Sequence, residues 1–125
     1  MAKEKKSILV VDDSETNLVL MEALLADKGW ELSKATSGKT ALGMISKSKP
    51  DLILLDLLMP GIDGNEMLDR LKAGEQTADI PVIVISAVHN SEARITCLEK
   101  GALDYLTKPV NINEMLKKVE KVLEE

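Results

Sequence analysis

The sequence has one cysteine, no phenylalanine, and only Trp30 and Tyr105 as aromatic residues. A single cysteine excludes an intramolecular disulfide framework and is typical of proteins in a reducing compartment. Sixteen lysines and arginines stand against 21 aspartates and glutamates, which gives a net charge of −5. Because the chain lacks both the basic excess and the interleaved aromatic residues that nucleic-acid binding uses, we expect it to make no contact with nucleic acid.

Long hydrophobic runs are also missing. The longest uninterrupted ones, such as Ile8–Val11 and Leu52–Leu55, are far shorter than the roughly 20 residues that a membrane-spanning helix needs. We therefore expect no membrane contact and a cytoplasmic location. The 125 residues, 45% hydrophobic and 30% charged, predict one globular domain over residues 1–125.

Two hydrophobic periodicities alternate along the chain. Short apolar runs predict strands at Ile8–Val11, Trp30–Ala35, Asp51–Asp56, Ile80–Ile85 and Ala102–Thr107. Between and after them, helical spacing predicts helices that end near Gly29, before Pro50, over Asn65–Lys72, over Ser91–Lys100, and from Ile112 to Leu123. Strands that alternate with helices indicate right-handed crossovers and a parallel sheet covered on both faces. The fold class is doubly wound α/β.

Polar residues stand at or just beyond the ends of four of these strands. They are Asp12 and Asp13 after the first, Asp56 at the third, Ser86 at the fourth and Lys108 after the fifth. Sheets of this class bind ligands outside the carboxyl ends of their strands, so we expect these side chains to converge in one crevice.

Three carboxylates in one crevice repel each other, by about 4 kcal/mol for a pair at about 4 Å and an effective dielectric near 20. A single lysine does not offset this repulsion, whereas a divalent cation does. Oxygen ligands and few protein groups favour Mg²⁺. Taken alone, each residue can be explained by an ordinary structural role, as a helix cap, a turn former or a solvated lysine. Their joint occurrence at successive strand ends favours a functional site.

Five stretches of the sequence resemble the receiver domain of two-component response regulators, chemotaxis-type regulators included. They have the order and spacing of that family, and the resemblance covers about Lys6 to Leu123, the predicted core. The stretches are Ile8–Ser14, Ala35–Leu42, Pro50–Gly64, Pro81–Ala87 and Gly101–Pro109. The resemblance implies a flavodoxin-like five-stranded parallel sheet with strand order 2-1-3-4-5.

The resemblance also assigns roles at the strand ends. It implies that Asp56 accepts a phosphoryl group, and that Asp12, Asp13, Asp56 and the backbone carbonyl of Leu58 hold Mg²⁺. In-line phosphoryl transfer depends on positioning and charge neutralisation, which a metal ion and strand ends supply.

For the remaining site residues, the resemblance implies that Lys108 pairs with a phosphoryl oxygen and that the Ser86 hydroxyl donates to another. It implies a cis bond between Lys108 and Pro109. We further expect phosphorylation to draw Ser86 toward the phosphoryl group, to shift the loop after the fourth strand and to move Tyr105 from outward to inward packing. This change would bias an existing two-state equilibrium.

The implied partners are a histidine kinase or phosphotransfer protein and a downstream protein that docks on the surface of helix 4, strand 5 and helix 5. We expect a monomer or a phosphorylation-dependent dimer, with self-catalysed phosphotransfer and no enzymatic turnover. We expect no DNA-binding or enzymatic output domain directly after the last predicted helix. The chain is therefore expected to act by docking, or to be part of a longer regulator or hybrid kinase.

Three alternatives remain. A Mg²⁺-dependent phosphohydrolase would want a second carboxylate two residues after its nucleophile, where this chain has Leu58. A flavin module would need a phosphate loop rich in small residues after the first strand, where Asp12 and Asp13 stand. The third is a receiver that interacts independently of phosphorylation. Gly38-Lys39-Thr40 is not a P-loop, because Ser33 occupies the position of the required first glycine.

Overall fold

The computed structural model describes residues 5–124, so the ends of the predicted domain, residues 1–4 and 125, lie outside the described part. The strands are β1 Ser7–Val11, β2 Glu31–Ala35, β3 Leu52–Leu55, β4 Val82–Ser86 and β5 Asp104–Thr107. The helices are α1 Glu15–Leu25, α2 Gly38–Lys47, α3 Gly64–Ala73, α4 Ser91–Glu99 and α5 Ile112–Glu124, with a short 3₁₀ helix at Ala26–Lys28.

All four strand pairings are parallel, and the sheet order is β2-β1-β3-β4-β5. This arrangement confirms the expected doubly wound, flavodoxin-like α/β fold. No helix within residues 5–124 is long and apolar enough to cross a membrane.

Alternate side chains along each strand point to opposite faces of the sheet, which divides the core into two clusters. One cluster packs under α2, α3 and α4 and includes Leu9, Val11, Leu55 and Val84. The other packs under α1 and α5 and includes Ile8, Val10, Leu54 and Ile85. Because both faces are covered, the central strands read as continuous apolar runs.

Two predicted strand boundaries are wrong by two residues at their start. Strand β4 begins at Val82, because the Ile80 N–H bonds to the Thr77 carbonyl in the preceding turn and Pro81 has no N–H to donate. Strand β5 begins at Asp104, because the Ala102 N–H returns to the Cys97 carbonyl at the end of α4. Gly101 permits that return with its positive φ of 105°.

Smaller corrections apply elsewhere. Strand β2 begins at Glu31, one residue after the predicted Trp30, and α3 begins at Gly64 with Asp63 as its N-cap. The Asp63 carboxylate accepts a hydrogen bond from the Glu66 N–H at 2.9 Å, which fixes the start of the helix. These shifts do not move any predicted site residue away from the carboxyl ends of the strands.

Candidate functional site

The register of the two central strands places Asp12 beside Asp56. Val11 of β1 pairs with Leu55 of β3, so the residue that follows each strand is an aspartate at the same edge of the sheet. Both aspartates are only 6% exposed, whereas Asp13 is exposed. Carboxylate oxygens of all three lie within 4.8 Å of one another. The predicted convergence of the acidic residues is therefore what the structure shows.

The Asp12 carboxylate is held by three donors. Its Oδ1 accepts a hydrogen bond from the Ser14 N–H at 2.9 Å. Its Oδ2 faces the Asn17 side-chain amide at 3.3 Å and the Lys108 ammonium at 3.1 Å. Sequence reasoning missed Asn17. The available signal was its place in the first turn of α1, where side chains lie close to the end of β1.

Lys108 reaches both buried aspartates. Its Nζ is 3.1 Å from Asp12 Oδ2 and 3.8 Å from Asp56 Oδ2. The Lys108 N–H donates to the Ser86 carbonyl at 2.8 Å, which ties the loop after β5 to the end of β4. The Lys108–Pro109 peptide bond is cis, as the resemblance implies.

The electrostatic state of Asp56 follows from these neighbours. Burial raises the pKa of Asp56, and the nearby Asp12 charge raises it further. Lys108 and a hydrogen bond from the Leu58 N–H, 3.3 Å from Asp56 Oδ1, lower the pKa but do not cancel the first two effects. Lys108 and the Leu58 N–H thus compensate the negative charge of Asp56 only in part. An added cation would stabilise the ionised form of this carboxylate.

Ser86 and Tyr105 are linked through the backbone of Val88. The Val88 N–H donates to Ser86 Oγ at 3.1 Å, and the Val88 carbonyl accepts from the Tyr105 hydroxyl at 2.8 Å. Tyr105 is 3% exposed and packs in the cluster under α2, α3 and α4. The expectation that Tyr105 starts from an outward position is therefore not met, because the inward ring is buried and its hydroxyl has a partner.

The protein-family model described as the response regulator receiver domain matches residues 8–120. The chain belongs to this family. Receiver domains interact with histidine kinases and downstream effectors and typically bind Mg²⁺ at an acidic pocket.

Known proteins similar to this receiver domain differ in length. Response regulator PleD of Caulobacter vibrioides is 48% identical over 104 residues, 83% of this chain and 23% of PleD. Protein PilH of Pseudomonas aeruginosa is 35% identical over 116 residues, 93% of this chain and 96% of PilH. The chain thus spans about half or less of several curated relatives and nearly all of PilH.

Solved receiver structures have the same fold. The receiver domain of the Francisella response regulator 1452 is 32% identical with a TM-score of 0.89, and the match covers 96% of this chain and 98% of that one. Vibrio cholerae chemotaxis protein CheY4 is 28% identical with a TM-score of 0.88, and the match covers 95% and 99%.

The donor set of this receiver domain fits Mg²⁺. Asp12, Asp13 and Asp56 offer carboxylate oxygens, which are hard ligands of the kind Mg²⁺ prefers, and their mutual distances allow one ion to contact all three. Formal charges of −3 from the aspartates, +2 from the metal and +1 from Lys108 sum to zero. The Leu58 carbonyl stays a predicted fourth ligand.

A cleft of about 490 Å³ opens beside the acidic residues, between α1 and the loop after β5. Its walls are mostly apolar side chains, and Asp12, Asn17, Asp56 and Lys108 lie at its polar end. Two other residues weighed from the sequence take no part in this arrangement. His89 is exposed in the β4–α4 loop, and Cys97 is buried in α4.

Proposed function

We propose that this receiver domain accepts a phosphoryl group on Asp56 from the phosphohistidine of a histidine kinase or phosphotransfer protein. One observation carries the proposal: Lys108 Nζ faces both buried aspartates, while oxygens of Asp12, Asp13 and Asp56 lie within 4.8 Å of one another. This grouping provides a carboxylate nucleophile, ligands for a divalent cation and a counter-charge in one place. We further propose that residues 1–125 form one such domain in the cytoplasm.

In the proposed transfer, a carboxylate oxygen of Asp56 forms a bond to phosphorus and the phosphorus–nitrogen bond of the donor breaks. The electron pair of that bond stays on the imidazole nitrogen, which takes up a proton. Asp12, Asp13, Asp56 and the Leu58 carbonyl would hold Mg²⁺, which when bound supplies positive charge to phosphoryl oxygens. Lys108, whose Nζ is 3.8 Å from Asp56 Oδ2, supplies a further positive charge.

We propose that Ser86 forms a hydrogen bond to the phosphoryl group. Its Oγ accepts the Val88 N–H, so its own O–H remains available to donate to a phosphoryl oxygen. A phosphoryl group adds about −1.5 to −2 charge and new acceptor oxygens. We propose that this bond stabilises the arrangement in which Val88 also accepts the Tyr105 hydroxyl. The inward position of Tyr105 then becomes the favoured member of a two-state equilibrium.

The surface affected by this equilibrium would be the one formed by α4, β5 and α5, which we propose as the docking site for a downstream protein. It exposes apolar side chains on α4, with Ile95 53% and Leu98 37% exposed, and Leu103, directly before β5, is 55% exposed. Ile95 and Leu98 are three residues apart in α4 and so share one face of that helix, where a partner could cover both. The assembly state would be a monomer or a phosphorylation-dependent dimer.

The hydroxyl of Ser86 is the group on which the proposed switch depends. In Ser86→Ala, we expect the protein to accept a phosphoryl group but to lose most of the phosphorylation-dependent change around Tyr105, because the Val88 N–H loses its hydroxyl acceptor. Backbone amide chemical shifts of residues 86–90 and 105, compared with and without phosphodonor, measure that change. A full wild-type shift change in phosphorylated Ser86→Ala would contradict the proposed switch.

The acceptor itself is tested by incubating the protein with MgCl₂ and a small-molecule phosphodonor and measuring its intact mass. We expect wild type and the exposed-surface control Asp69→Asn to gain one phosphoryl group, and Asp56→Asn to gain none. Equal gain in Asp56→Asn would assign the acceptor to another residue. No gain in the wild type would leave the phosphorylation-independent interaction module as the better interpretation.

A further inference from the structure

Asn17 contacts the acidic site but is not one of the residues that the proposed function uses. It lies in the first turn of α1, where its N–H bonds to the N-capping Ser14 hydroxyl at 3.2 Å. Its side-chain Nδ2 lies 3.3 Å from Asp12 Oδ2. A carboxylate only accepts hydrogen bonds, so the amide nitrogen must be the atom that faces it.

The oxygen that Asn17 contacts is also the one that Lys108 contacts. Lys108 Nζ is 3.1 Å from Asp12 Oδ2, and no third donor to this atom is found among the hydrogen bonds of residues 5–124. If Lys108 turns to a phosphoryl oxygen, as the proposed function requires, Asn17 becomes the remaining donor. Asp12 is nearly buried, and a buried carboxylate oxygen without a donor is costly.

The two donors differ in charge. Lys108 offsets one negative charge of the acidic cluster while it is bound to Asp12, whereas the Asn17 amide donates a hydrogen bond and leaves the charge of the cluster unchanged. An amide therefore holds Asp12 in place without weakening the attraction of the three carboxylates for a cation. A lysine at position 17 would also hold Asp12 in place, but its positive charge would weaken the attraction of the three carboxylates for a cation.

We propose that Asn17 is a positioning residue that orients the Asp12 carboxylate for Mg²⁺ and becomes its remaining side-chain donor when Lys108 leaves. This inference rests on the proposed function, because it assumes that Asp12 is a metal ligand and that Lys108 moves. It assigns to α1 a direct part in the metal site, in addition to the strand ends that carry the ligands.

The test is a titration of ¹⁵N-labelled protein with MgCl₂ alone, followed through the backbone amides of Ser14 and Leu58 and the side-chain amide of Asn17. In Asn17→Leu, which keeps the side-chain volume but removes the donor, we expect the Mg²⁺ Kd to rise about 3- to 10-fold. The control Thr16→Leu alters an exposed neighbour on the same helix and should leave the Kd within about twofold of wild type.

A double-mutant cycle separates positioning from a general structural effect. In a Lys108→Met background, Asp12 Oδ2 has only Asn17 as donor, so Asn17→Leu should raise the Kd by a larger factor than it does in the wild type. Equal factors in the two backgrounds would overturn the proposal, as would a Kd for Asn17→Leu within twofold of wild type. Lowered unfolding stability in EDTA with unchanged Kd would assign Asn17 a structural role only.

The titration does not depend on phosphoryl transfer, so the two proposals fail in different ways. If wild type gains a phosphoryl group and binds Mg²⁺ but Asn17→Leu binds it equally well, only the role of Asn17 is wrong. If wild type shows no saturable Mg²⁺ shift, the metal-dependent function and the role of Asn17 are both wrong.

Discussion

Replacing Gly64 with alanine is expected to lower the free energy of unfolding by about 3 kcal/mol. An ideal Cβ at this position would lie 2.5 Å from both the Asp56 carbonyl oxygen and the Leu57 Cα. Both are backbone atoms, so the overlap is relieved only by moving the segment that carries Asp56. We therefore expect Gly64→Ala to unfold at a clearly lower urea concentration than wild type and to accept a phosphoryl group poorly.

Gly43 provides a matched control for this substitution. It lies inside α2, and an added Cβ there meets no atom within 4 Å. Because alanine has a higher helix propensity than glycine, Gly43→Ala should raise the free energy of unfolding by about 0.5–1 kcal/mol. If both variants unfolded at the same urea concentration, the close approach of Gly64 to the backbone after β3 would not contribute to the free energy of unfolding.

The second large effect is expected at Lys108. Lys108→Met keeps much of the side-chain length but removes the positive charge that faces Asp12 and Asp56. Removal of one preorganised charge partner from a reacting group commonly costs a factor of 10² to 10³ in rate. We expect phosphorylation by a small-molecule donor to slow about 100-fold, about 2.7 kcal/mol in activation free energy, as measured by intact mass over time.

A pH series separates this charge effect from misfolding. The pKa of Asp56 is already raised by burial and Asp12, and Lys108 lowers it, so Lys108→Met should raise it further. A raised pKa in the folded state means that stability from Asp56 is present at low pH and is lost as pH rises through the folded-state value. In EDTA, urea midpoints of Lys108→Met should therefore fall further than those of wild type as pH rises, and the decline should extend to higher pH.

Lys118→Met is the control, because Lys118 pairs with Asp104 at the start of β5, away from the acidic residues. It should phosphorylate at the wild-type rate. A Lys108→Met protein that also kept this rate would show that the ammonium group is not needed to balance charge during transfer.

Most of the fold was predictable because its signals are local. Continuous apolar runs such as Leu52–Leu55 identify strands that are buried on both faces, and the alternation with helices determines that the sheet is parallel. The starts of β4 and β5 were not predictable from hydrophobicity. They depend on the N–H groups of Ile80 and Ala102, which donate hydrogen bonds to the preceding turn and to the end of α4 and not to a neighbouring strand.

The acidic cluster was predictable for a geometric reason: residues that follow paired strands share one edge of the sheet, so Asp12 and Asp56 meet whatever the loops do. The position of Asn17 in the first turn of α1 indicates only that it lies near the end of β1, because its contact with Asp12 depends on the angle at which α1 leaves β1. The inward position of Tyr105 was not predictable, because it depends on whether the Val88 carbonyl is within reach of its hydroxyl. Contacts made by side chains beyond a strand end need the three-dimensional path of the loops.

The two hydrogen bonds that join Ser86 to Tyr105 use only main-chain atoms of the residue between them. The side chain at position 88 can therefore change in size or polarity without breaking the connection, and it is free to tune how partners or water approach the site. Proline is the exception, since it has no N–H to offer Ser86. Among substitutions of Val88, only proline should therefore break the hydrogen bond to Ser86, and the other residues should keep both hydrogen bonds.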